Sequence, residues 1–321
     1  MTTLFLSSTG GHLHELDELA ARLPPGRRLW VTHENAQSTS LLAGRDVEYL
    51  PYVRPRSPAD VARCLPVARR LLRTHDLTAA VSTGSSIALG FLPYLAAHGV
   101  ACHYVESAAR TVGPSLTGAV LARCPRIRLW TQYAHLADSR WQHAGSVFDA
   151  YVPAAVPARD GHRIRVVVTV GTAHPFRRLV EHLVPLLAPG GPLERATGRP
   201  VEVTWQTGST PVDDLPITAN PLLPAADLDT ALARADIVVA HAGAGSALAA
   251  FAAGRAPVLV DRRARFGEAP DDHQSQLAPE LARRGLALAR SVEEVQVADL
   301  LWARARGALR ARECFPRLEP R

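Results

Sequence analysis

The chain alternates, twice over, between short apolar runs that suit buried strands and stretches whose apolar residues recur at helical spacing. Residues 3–7 form the first run. Leu13, Leu16, Leu19, Ala20 and Leu23 then follow at three- and four-residue intervals until Pro24 and Pro25 stop the helix. Further apolar runs stand at 29–32, 47–50, 79–82, 102–105 and 127–130. Strands separated by helices predict a parallel sheet, because each helix carries the chain back to the same end. A proline-rich passage at 151–161 breaks the pattern and reads as a linker. The alternation restarts at 165–170 (RVVVTV) and goes on through Gly171, Thr172, a helix with Phe176, Leu179, Val180 and Leu183, and runs at 201–205, 237–240 and 258–260. The expectation is an α/β protein of two doubly wound domains, residues 1–152 and 164–321, joined by 153–163, with the last helix returning to the first domain. A length of 321 residues fits two domains of about 150 each.

Composition removes several classes of function. A hydrophobic content of 47% argues for a packed core rather than disorder. The net charge is +6, yet every one of the 36 basic residues is arginine, and no basic run is interleaved with aromatics as a single-strand groove requires. Nucleic acid is therefore not an expected partner. Cys64, Cys102, Cys124 and Cys314 are scattered, which fits a reducing cytoplasm and neither a zinc site nor a disulfide framework. Met1-Thr2-Thr3 runs into a strand without a basic leader, and no apolar stretch approaches the roughly 20 residues that span a bilayer. The expected location is the cytoplasm, either free or peripheral on the inner face of the cell membrane. The stretch 58–74 places Arg63, Arg70 and Arg73 near one face, which is either a lipid-facing surface or a solvated face of a helix packed on the sheet.

In open parallel sheets ligands bind beyond the carboxyl ends of strands, so the chemistry belongs in the loops there. The densest is Ala240-His241-Ala242-Gly243-Ala244-Gly245-Ser246, a strand ending in a glycine-rich turn that opens a helix. Free backbone N–H groups and the helix dipole at such a start attract phosphate. Its partner is Asp271-Asp272-His273-Gln274, which opens another helix with donors and acceptors suited to sugar hydroxyls.

These two segments, with Gly254-Arg255-x-Pro257, Val168–Thr172 with Phe176, and Trp205–Gly208, resemble the donor-binding domain of the GT-B glycosyltransferases of family 28. The resemblance covers most of 164–290, and within the family it extends to the catalytic subunit of the eukaryotic two-subunit enzyme that adds the second GlcNAc to dolichol diphosphate. It implies a GT-B fold, two Rossmann-like domains facing across a cleft. It also implies that Gly171, Thr172, Gly208, His241, Gly243, Gly245 and Ser246 surround UDP while Asp272, His273 and Gln274 face the sugar. Ala249 stands where family members often carry an acid for the ribose hydroxyls.

The first half is similar to the companion subunit of that enzyme and to bacterial exopolysaccharide pairs. The similarity lies in Ser8-Thr9-Gly10-Gly11-His12, in Val81–Ser86, in Tyr104–Arg110 with Leu116-Thr117-Gly118, and in Gln132. The Gly-Gly-His corner lacks the third glycine and the distant acid of a dinucleotide fingerprint. The resemblance implies an acceptor diphosphate against Gly10 and Gly11, with Gly84 and Ser85 beside it.

His12 is the first candidate for the base that takes the acceptor's proton, against the alternative of a helix-start residue bonded locally. Glu106 is the second, as a base or as a ligand of the acceptor hydroxyl, since burial after a strand raises a carboxyl's pKa; the alternative is an ion pair with Arg110 on a helix. No metal or cofactor is expected, because helix N-termini and arginines can meet the UDP charge, and Asp227 reads as a cap.

The expected activity is inverting transfer of a sugar from a UDP-sugar to a hydroxyl of a polyprenyl-diphosphate-linked saccharide in cell-surface polysaccharide synthesis. The alternatives are transfer to a soluble natural product, or non-catalytic binding of a nucleotide sugar.

Overall fold

The computed structural model describes residues 1–311 apart from 55, 144, 158, 160, 173 and 270–273. Cys314 is therefore outside the described residues. Two compact units divide between Ala150 and Tyr151.

The first unit runs β1 (Thr2–Ser7), α1 (Gly11–Ala20), β2 (Arg27–His33), α2 (Ala36–Leu41), β3 (Asp46–Leu50), α3 (Pro58–Thr74) and β4 (Leu77–Gly84). It continues with α4 (Ser86–Ala97), β5 (Ala101–Val105), α5 (Leu116–Leu121), β6 (Ile127–Thr131) and β7 (Trp141–His143). The sheet is wholly parallel in the order β3-β2-β1-β4-β5-β6-β7. β1 lies inside the sheet, between β2 and β4, and is apolar on both faces. Leu4 and Leu6 enter the core shared with α3 and α4, while Phe5 stacks on its register partner Trp30 with ring centroids 5.0 Å apart. Burying each such side chain contributes about 1.5–3 kcal/mol.

α4 is apolar all round because it is the helix most enclosed: Ile87, Phe91, Leu92 and Leu95 are fully buried. Gly90 lets α3 come close, since a Cβ there would stand 2.5 Å from Cβ of Cys64. On α3, Ser57 caps the start by accepting from the Asp60 N–H. Cys64, Ala68 and Leu71 face inward, and Arg63 and Arg70 pair with Asp60 and Glu48.

The second unit comprises β8 (Tyr151–Ala155), β9 (Ile164–Thr169), α6 (Arg177–Leu187), α7 (Pro192–Thr197), β10 (Val201–Gln206), β11 (Ala219–Asn220) and α8 (Ala225–Arg234). It goes on through β12 (Ile237–His241), α9 (Ala244–Ala252), β13 (Val258–Val260), α10 (Gln274–Arg283), β14 (Leu288–Arg290), α11 (Val297–Arg304) and β15 (Arg306–Arg310). Its main sheet is parallel in the order β11-β10-β9-β12-β13-β14. The valine run works on both sides of β9. Val166 and Val168 join the core with α6 and α11, and Val167 joins the one with α8 and α9.

The segment expected to be a linker opens differently. β8 pairs antiparallel with β15, and Tyr151 packs its ring 5.4 Å from that of Phe251 on α9. A two-stranded ribbon tolerates Pro153 because each strand has a free edge for a residue without an N–H. Periodicity cannot show such a pairing, since Tyr151 finds its partner at Arg310, near the other end of the unit. The three-residue β7 also escaped the sequence pattern, having no apolar run. Among the described residues α11 is the last helix, and it packs within the second unit.

Candidate active site

In both main sheets the strand order reverses at one place, between β1 and β4 and between β9 and β12. Loops leaving adjacent strands there go to opposite faces and open a crevice. The glycine-rich segments stand at these two points.

At the first, Gly10 caps α1 with φ +79, a conformation that favours glycine, and makes no side-chain cap. The opening N–H groups of a helix have no partner within it, so this start is suited to an anion. Thr83 donates its hydroxyl to the carbonyl of His12 at 2.7 Å, and Ser8 donates its N–H to the carbonyl of Gly84 at 3.1 Å. These bonds fix the corner to the end of β4. The half-buried His12 ring lies over Gly84: a Cβ there would be 3.2 Å from Cε1 of His12 and 3.5 Å from the Tyr104 hydroxyl. Ser85 caps the next helix, α4. Gly10, Gly11, His12, Gly84 and Ser85 are thereby gathered in one place.

Glu106 follows β5 and is 3% exposed. One carboxylate oxygen accepts from the Ser107 N–H at 3.1 Å and the Tyr104 hydroxyl at 3.3 Å. The other accepts from the Ser115 N–H and hydroxyl at 2.8 and 3.0 Å. Burial pushes this carboxyl up, and its donors and Arg110 pull it back. Residues 107–113 are turns and bends, so the helical ion pair with Arg110 is not the arrangement found. Gly118 makes room for the carboxylate, as a Cβ there would stand 2.4 Å from Oε2 of Glu106.

Sequence reasoning missed Glu15. It is 1% exposed on α1, three residues beyond His12, and accepts from the Ser107 hydroxyl at 2.7 Å, the Ala108 N–H at 2.8 Å and Gln132 Nε2 at 3.0 Å. Burial raises it from the ordinary 4.5 to about 7, against the pull of these donors, and neighbouring Glu106 raises it further. The signal in the sequence was an acid four residues before Leu19 on a helix whose leucines form the core face.

At the second point three loops meet almost without side chains. Gly171 (φ +78) follows β9, and a Cβ there would stand 2.6 Å from Cε1 of His241; one on Gly243 would stand 2.3 Å from Nε2 of the same ring. The imidazole therefore lies between two backbones. Gly208 after β10 (φ +58) packs so closely that its Cβ would reach 2.0 Å from the Gly171 carbonyl oxygen. Ser246 Oγ is 3.2 Å from Nδ1 of His241. Gly243 caps α9 without a side chain, which leaves the first-turn N–H groups around Gly245 and Ser246 for an anion, and Gly254 ends the helix at φ +73. Thr172 is exposed at this rim.

Arg262, two residues beyond β13, braces the rim. It is 3% exposed, donates to the carbonyls of Val170 and His174, and lies 5.5 Å from the Phe176 ring. Burial pushes its pKa down to about 10. Arg178 holds Glu268 through both carboxylate oxygens at 3.0 and 3.1 Å, and Glu268 also accepts the Arg263 N–H. Asp272 and His273 lie outside the described residues, and Gln274 is described only as the first residue of α10. Asp227 is not a cap: α8 is preceded by Pro224, and Asp227 stands in the first turn. Among the described residues no group of three or more His, Cys, Asp or Glu is gathered for a metal.

Residues 165–303 match the family model of the glycosyltransferase family 28 C-terminal domain. The UDP-N-acetylglucosamine--N-acetylmuramyl-(pentapeptide) pyrophosphoryl-undecaprenol N-acetylglucosamine transferase of Solibacter usitatus (strain Ellin6076) is 36% identical over 103 residues, which are 30% of this chain and 27% of that protein. MurG of Acinetobacter baumannii superposes over 94% of this chain and 88% of its own with a TM-score of 0.57 at 18% identity. The glycosyltransferase SnogD from Streptomyces nogalater does so over 94% and 90% with a TM-score of 0.60 at 17% identity. The chain has the GT-B fold of these enzymes. The matched domain lies in its C-terminal unit, and the chain's match spans 27% of the length of the Solibacter relative.

Proposed function

We propose that the protein is an inverting glycosyltransferase that moves a sugar from a UDP-sugar to a hydroxyl of a polyprenyl-diphosphate-linked saccharide, in the assembly of a cell-surface polysaccharide. The observation that carries this reading is the pair of glycine-capped helix starts, one at the switch point of each sheet. Each suits a diphosphate, and a lipid-diphosphate acceptor with a UDP donor supplies two. The Solibacter relative is named for chemistry of this kind.

In this reading the start of α9, with Gly171, Gly208 and His241, holds the UDP, and Gly10, Gly11, Gly84 and Ser85 hold the acceptor. Asp272, His273 and Gln274 recognise the sugar. His12 removes the proton of the attacking hydroxyl as the bond from the anomeric carbon to UDP breaks. Glu106 has both oxygens engaged by protein donors and serves the same site by anchoring the loop 107–115. Diphosphate charge is met by the helix starts, so the reaction proceeds without a metal or cofactor. The enzyme works in the cytoplasm, meeting its lipid acceptor at the membrane surface. No helix among the described residues is long and apolar enough to cross a membrane.

The test is transfer from radiolabelled UDP-sugars to short-chain polyprenyl-diphosphate saccharides, with a soluble aglycone panel alongside. The product should carry a new glycosidic bond of inverted anomeric configuration, form in the presence of EDTA, and fall by about 10²–10⁴-fold in His12→Ala. Transfer to soluble aglycones alone replaces the acceptor class, and a sugar merely isomerised, or no UDP-sugar bound in calorimetry, removes the reading.

A further inference from the structure

We propose that Glu15 is a positioning residue of the acceptor half, clamping the loop that follows β5 onto the helix that carries Gly11 and His12. The inference rests on the acceptor reading above for its purpose, though not for its geometry.

Seven hydrogen bonds join two carboxylates and the elements around them. Glu15 on α1 takes the Ser107 hydroxyl, the Ala108 N–H and Gln132 Nε2. Glu106 takes the Tyr104 hydroxyl, the Ser107 N–H, and both donors of Ser115. Ser107 contacts both acids, one through its hydroxyl and one through its N–H, and Gln132 Nε2 also donates to the Glu106 carbonyl at 3.0 Å. Helix α1, the exit of β5, the exit of β6 and the start of α5 thus converge on one buried polar knot. Close by, His12 and the Tyr104 hydroxyl both lie within 3.5 Å of where a Cβ on Gly84 would stand.

A buried acid that shares a neighbour with a second buried acid is costly unless its work needs that position. A salt bridge or an apolar residue would hold α1 to the sheet more cheaply. A carboxylate does what neither can: it accepts two main-chain or amide N–H groups and a hydroxyl at once, and so fixes the path of residues 107–111 relative to the Gly-Gly-His corner. The groups facing Glu15 are Glu106, Ser107 and the Ala108 N–H from the β5 exit and Gln132 from the β6 exit, with Tyr104 and Arg110 acting on Glu106. Two full negative charges behind an anion-binding corner would repel its ligand. One proton held by the pair near neutrality removes one of them.

Glu15→Gln and Ser107→Ala in the full chain test this. Acceptor KM, measured with a short-chain polyprenyl-diphosphate saccharide, should rise about tenfold in both while kcat changes less than about twofold. UDP affinity by calorimetry should equal the parent's, and amide exchange at 107–111 should quicken about tenfold with the rest of the chain unmoved. In carbon-13 spectra of labelled glutamate, one carboxyl should titrate near neutrality in the parent and be missing from Glu15→Gln. Equal losses of acceptor and UDP binding would overturn the proposal, as would parent-like exchange at 107–111 in both variants. If the parent transfers nothing to these acceptors, the function proposed above fails, and exchange confined to 107–111 still decides the clamp.

Discussion

The His241 imidazole occupies the space a side chain at Gly171 would need: a Cβ there would stand 2.6 Å from its Cε1. Main chain leaving β9 is pressed against a ring leaving β12, and the helix start beside them stays open to an anion. Gly171→Ala should therefore displace His241 and strain a backbone at φ +78. UDP affinity should fall at least about tenfold by calorimetry, with acceptor-side amide exchange unchanged.

Gly118 tests the acceptor half by the same logic. Alanine would place a methyl 2.4 Å from Oε2 of Glu106 and 2.9 Å from Cη2 of Trp141. Neither neighbour is a free chain end, because Glu106 is held by four donors and Trp141 is 7% exposed. Overpacking of this kind costs about 1–3 kcal/mol. Chemical denaturation of Gly118→Ala should show that loss, and the methyl should also raise acceptor KM.

Stability should depend on pH through Glu15. In the unfolded chain this acid ionises near its ordinary 4.5, and in the fold near 7, so between these values the folded state holds the proton longer. Its contribution is fully present below about pH 4.5 and is lost as pH rises to 7, a change of roughly 3 kcal/mol. Melting curves of Glu15→Gln should accordingly slope less between pH 4.5 and 7 than those of the parent. Identical slopes would show that the carboxyl ionises normally.

Arg262 holds the donor rim through the carbonyls of Val170 and His174. Arg262→Met keeps the apolar contact with Phe176 and removes both bonds. A buried guanidinium gone, two carbonyls lose their donor at about 1–3 kcal/mol. Weaker UDP binding, roughly tenfold, should accompany this with little change at the acceptor side. Unaltered UDP affinity would show the brace to be irrelevant to the donor.

The strand and helix alternation and the two glycine-rich corners were legible in the chain itself. They are local: a strand's buried faces, a helix's spacing and a cap's need for positive φ are satisfied by residues a few positions apart. Glu106 was legible as a buried acid, though not as one already bound by four donors.

Glu15, Arg262 and the β8–β15 ribbon were decided only by tertiary structure. Glu15 meets Gln132 across 117 residues, Arg262 meets Val170 across 92, and Tyr151 pairs with Arg310 at the far end of its unit. Sequence determined which segments could be strands and which loops could receive an anion, because those depend on neighbours along the chain. Which carboxylate is stripped of water, and which backbone a guanidinium reaches, depends on what the fold brings through space, and nothing in the spacing of residues encodes it.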